Sequence, residues 1–299
     1  MSLHVIVGAG PVGSAVAQLL ADAGEQVRVV TRSGGGLEDP AVERVAADAG
    51  DAARLRELAD GAAVIYNCAN PRYTRWETDW PPLASALVQA AASSGAVLAI
   101  TGNLYGYGPV DGPMTESTPL AATGRKGRVR VKMWHDALAA GIRTFEVRAS
   151  DYIGPGADSV FSFAILPALA SRRTARVPAN IDLPHSFTYT GDVARTLVTL
   201  ARDERAWGRA WHVPSPPPLS IRQLADRYFA VTGQEPVKVA GLPRWLPRLA
   251  APFVPMVREL VEMDYQFYRP FVLDTSAVTS TFGLAATDLD VALKTVRSR

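Results

Sequence analysis

His4-Val5-Ile6-Val7-Gly8-Ala9-Gly10-Pro11-Val12-Gly13-Ser14-Ala15-Val16-Ala17-Gln18-Leu19-Leu20 decides how this chain is read. An apolar β-prone run passes directly into a glycine turn, and the turn into a helix-forming segment, in the order of a dinucleotide-binding unit. Each glycine has its own task. Gly8 permits the tight turn off the strand, Gly10 lets the backbone approach a pyrophosphate, and Gly13 lets the helix pack closely on the sheet. Pro11 and Val12 open that helix, whose first-turn amides lie at the positive end of its dipole and favour a bound phosphate.

The second strand, Glu25 to Val30, bears on which dinucleotide is held. An NAD-selective site places a carboxylate at its end to accept from the ribose 2′-hydroxyl. Here the residues are Thr31-Arg32-Ser33. A guanidinium pairs with a 2′-phosphate, and a neighbouring hydroxyl donates to it, so NADP(H) is expected ahead of NAD(H). The competing reading makes Arg32 a solvated loop cation.

Further along, strands are expected at Val42–Val45, at 62–69 ahead of Asn70-Pro71, and at 96–101, with helices between them, one of them over Pro82–Ser93. Asp48 stands at a strand end, within reach of an adenine, although Asp48 or Asp51 could equally cap the next helix. This alternation predicts a doubly wound parallel α/β sheet. Prolines become frequent after about Asp151, and Ser220-Ile221-Arg222-Gln223 opens a helix as a capping box. The expected division is a dinucleotide-binding domain over 1–149 and a mainly substrate-binding lobe over 150–299, with segments around 186–213 returning to the sheet.

The chain has 299 residues, 48% of them hydrophobic, enough for a large core. A net charge of +2, with both signs interspersed, favours neither nucleic acid nor an anionic membrane as partner. The single cysteine, Cys68, cannot form an intramolecular disulfide, and no metal-ligand spacing occurs, so a reducing cytoplasm and no metal are expected. Arg244 to Val261 is apolar, with arginines and prolines. It is expected to be a lid or inter-lobe packing element, because its prolines break any continuous membrane-binding helix.

Several segments together resemble the extended short-chain dehydrogenase/reductases, the group that includes the NAD-dependent epimerases and dehydratases. Thr101-Gly102-Asn103-Leu104-Tyr105-Gly106 is similar to that family's Ser/Thr-x-x-x-Tyr-Gly, and Glu116-Ser117-Thr118-Pro119 to its Glu-x-x-Pro. Arg148-Ala149-Ser150-Asp151-Tyr152-Ile153-Gly154-Pro155-Gly156 is similar to its Arg-Pro-x-x-x-Tyr-Gly-Pro-Gly. Phe187 to Ala194 is similar to its Phe-x-x-Val-x-Asp-Val-Ala. The resemblance implies a Rossmann sheet with a smaller C-terminal lobe, and cofactor contacts from Asp48, Ala49, Cys68, Ala69, Asn70, Thr101, Lys126 and Ser150.

The reaction centre departs from that pattern. The family's acid/base is a tyrosine followed four residues later by a lysine, whereas Thr123 to Lys132 contains no tyrosine. One alignment puts Lys126 at the tyrosine and Arg130 at the lysine; another keeps Lys126 as the lysine and leaves Ala122 at the tyrosine. Thr101 remains to polarise a carbonyl. Lys126, crowded by Arg125, Arg128 and Arg130, could serve as proton donor, or the proton could come from Tyr105, Tyr152 or Tyr265. The substrate pocket is expected to draw on Asn70, Arg72, Tyr73, Asn103, Tyr152, His185 and Tyr265, with Trp76, Trp80, Phe267, Tyr268 and Phe271 nearby. That density of aromatics points to a small apolar carbonyl or enone-type substrate.

These features lead to an atypical NADP(H)-dependent oxidoreductase, monomeric or homodimeric. The alternatives are redox-neutral epimerase, dehydratase or cyclase chemistry, and a non-catalytic NADP-sensing regulator.

Overall fold

The computed structural model describes residues 1–296. Seven strands form one parallel sheet: β1 (Leu3–Val7), β2 (Gln26–Thr31), β3 (Val42–Ala46), β4 (Ala62–Asn67), β5 (Val97–Asn103), β6 (Thr144–Ala149) and β10 (Ala210–His212). Their spatial order is β10-β6-β5-β4-β1-β2-β3. The order reverses between β1 and β4, so the crevice at their carboxyl ends is the switch point where open α/β sheets bind ligands. Gly8 and Cys68 leave the sheet there.

Side chains alternate along β1 as a two-sided buried strand requires: Ile6 enters one core, Val5 and Val7 the other. The Ile6 face is covered by α1 (Pro11–Asp22) and α6 (Thr190–Ala201), through Val16, Leu20, Val193 and Leu197. The opposite face carries α2 (Ala52–Leu58), α3 (Trp76–Ser94) and α4 (Arg125–Ala139), through Leu55, Trp80, Leu87 and Trp134.

Helix α3 starts well before the expected Pro82. Trp76 and Trp80, one turn apart, are 3% and 0% exposed, and their burial holds the first turns helical despite Pro81 and Pro82. Burying large apolar side chains is worth about 1.5–3 kcal/mol each, comparable with a helix-interior proline's cost of roughly 3 kcal/mol.

The second lobe holds β7 (Asp151–Ile153), α5 (Leu166–Ser171), β8 (Ala175–Val177), β9 (Phe187–Tyr189), α7 (Ile221–Thr232) and β11 (Val239–Gly241). It continues with α8 (Trp245–Ala250), α9 (Pro255–Glu262), α10 (Tyr265–Tyr268), α11 (Ser276–Phe282) and α12 (Leu289–Lys294). Its core gathers Phe161, Val177, Leu224, Tyr228 and Leu293. Of the segment 186–213, α6 and β10 lie on the seven-stranded sheet, while β9 pairs with β7 outside it. Helix α7 opens with the capping box its sequence predicts: Ser220 Oγ accepts from Gln223 N at 3.1 Å, and Gln223 Oε1 from Ser220 N at 2.8 Å.

Two motif residues, Glu116 and Arg148, prove structural. Arg148 donates to Glu146 at 2.6 Å and to the Tyr107 hydroxyl at 2.9 Å, and Tyr107 meets His212 Nε2 at 2.7 Å. His212 Nδ1 donates to the Asp274 carbonyl at 2.8 Å, and Glu116 accepts from its backbone amide at 2.9 Å. Burial pulls the imidazole below its ordinary range, which suits this neutral arrangement. No helix among the described residues is long and apolar enough to cross a membrane.

Candidate active site

The glycine turn has the geometry that its three tasks require. Gly8 has φ +99°, and a Cβ there would lie 2.7 Å from both Ala69 N and Cys68 O. A Cβ on Gly13 would lie 2.0 Å from Gly8 O, whereas one on Gly10 would meet no protein atom within 4 Å. The first and third glycines therefore let backbones touch, and the second keeps an approach open. Gly10 is the N-cap of α1, no side chain among the described residues caps that helix, and Pro11 follows, so its first-turn amides are left for a ligand.

A dinucleotide fits the polar groups around this turn. Asn67 Oδ1, Ser150 Oγ and Arg130 Nε are buried without hydrogen-bond partners among the described residues. The first two stand at the carboxyl ends of β4 and β6. Orphaned groups of this kind cost about 1–3 kcal/mol each unless a ligand satisfies them.

At the β2 end, Thr31 Oγ1 donates to Gly35 O at 2.9 Å and Ser33 Oγ accepts from Gly35 N at 3.3 Å, which folds the loop back. Arg32 is exposed and has no ion-pair partner among the described residues. Asp48 Oδ1 accepts from Gly50 N at 2.9 Å within its own turn, Asp51 caps α2, and Ala49 packs half-buried beside them.

Toward the centre, Thr101 Oγ1 donates to Cys68 Sγ at 3.6 Å, and the Thr101 carbonyl accepts from Arg130 Nη1 at 3.2 Å. Burial pushes the Cys68 thiol up to about 12, so it is a neutral packing group rather than a nucleophile. Arg130 lies between two indoles, 4.8 Å from the Trp76 ring centre and 4.5 Å from that of Trp80. These tryptophans, expected in the pocket wall, instead hold a cation from behind.

Helix α4 places Lys126 and Arg130 one turn apart, both buried, while Ala122 precedes the helix and donates to the Gly106 carbonyl. This favours the alignment in which Lys126 and Arg130 replace the family's tyrosine and lysine. The expected crowding of Lys126 by arginines is overturned. Its ammonium meets Glu259 of α9 and sits 4.4 Å from the Tyr73 ring centre. Arg125 turns to Glu77, Glu259 and Glu262, and Arg128 to the Thr123 carbonyl. Helix α4 has no acid in its first turn; Glu262 supplies one from α9, accepting from Lys126 N at 2.8 Å. Burial works to raise the Glu259 carboxyl, but Lys126 and Arg125 hold it below the usual carboxylate range.

The tyrosines gather beside this cluster. Tyr73 donates to the Tyr105 hydroxyl at 3.3 Å. Burial, aided by the Asp151 charge, pushes Tyr105 up to about 12, and burial raises Tyr73, Tyr152 and Tyr265 as well. Asn103 is drawn into the local turn, its Oδ1 accepting from Tyr105 N at 3.1 Å, and Asn70 and Arg72 are exposed.

His185 is not a pocket-wall residue. It is 3% exposed, stacked on Phe267 and Phe271, with Nε2 2.6 Å from Asp151 Oδ2. Asp151, whose side chain is 29% exposed, is the group that faces outward. Asp151, Glu259 and Glu262 were not singled out from the sequence as site residues. Asp151 lies inside a quoted motif, but the two glutamates are far from α4 along the chain and carry no local signal.

A cavity of ≈ 280 Å³ opens between the start of α4 and the segment 244–265, lined among others by Tyr105, Gly127, Val261, Glu262, Met263 and Tyr265. No residue of the glycine turn lines it. Tyr105 lines the cavity and bonds to Tyr73.

The model of the NAD dependent epimerase/dehydratase family matches residues 4–213. The chain belongs to that family. Solved structures share the fold of this epimerase/dehydratase chain along nearly its whole length. The Bordetella bronchiseptica enzyme WbmH, in complex with NAD+, is 19% identical, with a TM-score of 0.77 over 99% of this chain and 97% of its own. The UDP-glucose 4-epimerase of Brucella ovis, in complex with NAD, is 19% identical, with a TM-score of 0.75 over 99% and 97%. That of Thermotoga maritima, with UDP-glucose, is 14% identical, with a TM-score of 0.79 over 98% and 96%. No curated protein matches the chain.

Proposed function

We propose that the chain is a cytoplasmic NADP(H)-dependent oxidoreductase that reduces a small, largely apolar carbonyl compound, with Tyr105 as proton donor. The observation that carries this reading is the position of Tyr105, which lines the cavity while its hydroxyl accepts from Tyr73.

Gly8, Gly10 and Gly13 would hold the pyrophosphate, Arg32 with Thr31 and Ser33 the 2′-phosphate, and Asn67, Thr101, Ser150 and Arg130 the inner half. Bound there, the reduced nicotinamide supplies the hydride. The protein supplies the proton. A phenol pushed up to about 12 is fully protonated at neutral pH, so Tyr105 suits donation to an oxygen gaining negative charge better than abstraction from an alcohol. Tyr73 can refill it through the hydroxyl pair, and the buried Arg130 guanidinium stabilises the transient phenolate. Pro109, Val261, Met263 and Tyr265 give the cavity an apolar part for such a substrate, beside the charged Arg244, Arg248, Glu262 and Asp264.

The second reading is an epimerase or dehydratase cycle on a nucleotide sugar, the ligand type of the Thermotoga maritima structure, which the family match favours. Arg244 and Arg248, which line the cavity, would pair with its diphosphate. The test is NADPH consumption across a panel of aryl ketones and enones, compared with Tyr105→Phe. Tight NADPH binding with no turnover of any carbonyl would overturn the reductase reading.

A further inference from the structure

Helices α8 and α9 are inverted relative to an ordinary surface element. Glu259 faces inward with its side chain 5% exposed, while Trp245, Leu249, Phe253, Met256 and Leu260 are 60%, 63%, 85%, 48% and 44% exposed. In a soluble helix the apolar stripe faces the core. Here the ion pair with Lys126 and the contacts to α4 fix the opposite orientation. The apolar residues lie at helical spacing, with Trp245 and Leu249 sharing one face of α8, and Met256 and Leu260 one face of α9. The two helices pack on each other, and Phe253 and Val254 form the turn between them by donating to Ala250 O.

The charge on this surface has one sign. Residues 239–258 contain three arginines and no carboxylate. Arg244, Arg248 and Arg258 have side chains 43%, 49% and 59% exposed, while the acids they meet, Asp264 and Glu259, are 12% and 5% exposed. Arg244 and Arg248 bond to Asp264 at the cavity rim and keep part of their side chains in solvent, while the anions face the protein.

We propose that the α8–α9 surface docks on an anionic lipid bilayer, with the apolar side chains entering the acyl boundary and the arginines meeting headgroup phosphates. Charge complementarity selects this occupant. A two-fold contact with a second copy centred here would set the exposed parts of the arginines against their own counterparts with no exposed acid between them, whereas an anionic leaflet attracts all three. The prolines that weighed against membrane contact do forbid one long helix, but two short helices joined by a turn present the same kind of surface.

The test is co-sedimentation of the full-length chain with phosphatidylcholine vesicles, with and without phosphatidylserine, alongside light scattering without vesicles. The expected result is binding to the anionic vesicles only, reversed by salt, and weakened about tenfold or more in a Leu249→Glu/Phe253→Glu double variant. Arg258→Glu weakens it less. Both double-variant positions face solvent, and an unchanged thermal transition verifies the fold. Absence of binding to anionic vesicles, equal binding by the double variant, or a dimer dissolved by the same substitutions without any vesicle binding would each overturn the proposal.

Discussion

Lys126 of α4 and Glu259 of α9 form an ion pair in which both side chains are almost fully buried, at 3% and 5% exposure. The pair joins the helix that carries the candidate chemistry to the segment that closes the cavity. Removing one partner leaves an uncompensated buried charge, which costs about 3 to 5 kcal/mol, whereas replacing both by apolar groups is often neutral. Glu259→Ala is therefore expected to lower stability by that amount in urea unfolding, and Lys126→Met/Glu259→Leu to recover most of it. A double-variant loss equal to the sum of the separate Lys126→Met and Glu259→Leu losses would show that the pair itself contributes no coupling.

The same pair sets an acid limb. The Glu259 carboxyl is held below its ordinary value in the folded state, so its contribution is present above the unfolded value of 4.5 and is lost as pH falls through the folded one. Glu259→Gln, measured by urea unfolding from neutral pH downward, is expected to show a shallower loss of stability with acid than the parent chain. Parallel curves would remove Glu259 as a contributor.

The fold was legible from residues 4–20 because strand, turn and helix are local, and period-2 burial along β1 follows from the apolar run. The candidate site was less legible. Lys126 and Arg130 could be read as neighbours on one helix, but what they face could not, since Glu259 is 133 residues from Lys126. A helix-face rule predicts which side chains share a face and is silent on the partner that tertiary packing brings to it. His185 misled for the same reason: its partner Asp151 lies 34 residues away. The extra turns of α3 were hidden by Pro81 and Pro82, whose local preference is overridden by burial of Trp76 and Trp80.

The glycines separate folding from binding. A Cβ on Gly13 collides with Gly8 O, so Gly13→Ala is expected to destabilise the chain by several kcal/mol or prevent folding. A Cβ on Gly10 meets no protein atom, so Gly10→Ala is expected to keep the thermal transition and to weaken dinucleotide binding about tenfold or more in calorimetric titration. Unchanged affinity in Gly10→Ala would place the phosphates elsewhere.

Arg32 tests which dinucleotide is preferred. It is exposed and unpaired among the described residues, and β2 ends without a carboxylate. A charge-assisted contact to a 2′-phosphate is worth roughly 1.5–3 kcal/mol, so Arg32→Ala is expected to weaken NADPH about 10- to 100-fold while leaving NADH nearly unchanged. Arg32→Asp should then favour NADH. Equal effects on both dinucleotides would make Arg32 a solvated cation.

In the proposed reduction, Tyr105 and Tyr73 would divide the proton transfer between them. If Tyr105 donates to the substrate, Tyr105→Phe is expected to lower kcat by about 10²- to 10⁴-fold with KM little changed, because the lost contact strengthens only as the oxygen gains charge. Tyr73→Phe leaves the donor in place and removes its refill, so its loss is smaller and is relieved as added buffer takes over reprotonation. Since Tyr105 is pushed up to about 12, reduction should stay flat through neutral pH and fall only as the phenol ionises at high pH. A reduction rate falling with a midpoint near 7 would assign the proton to another group.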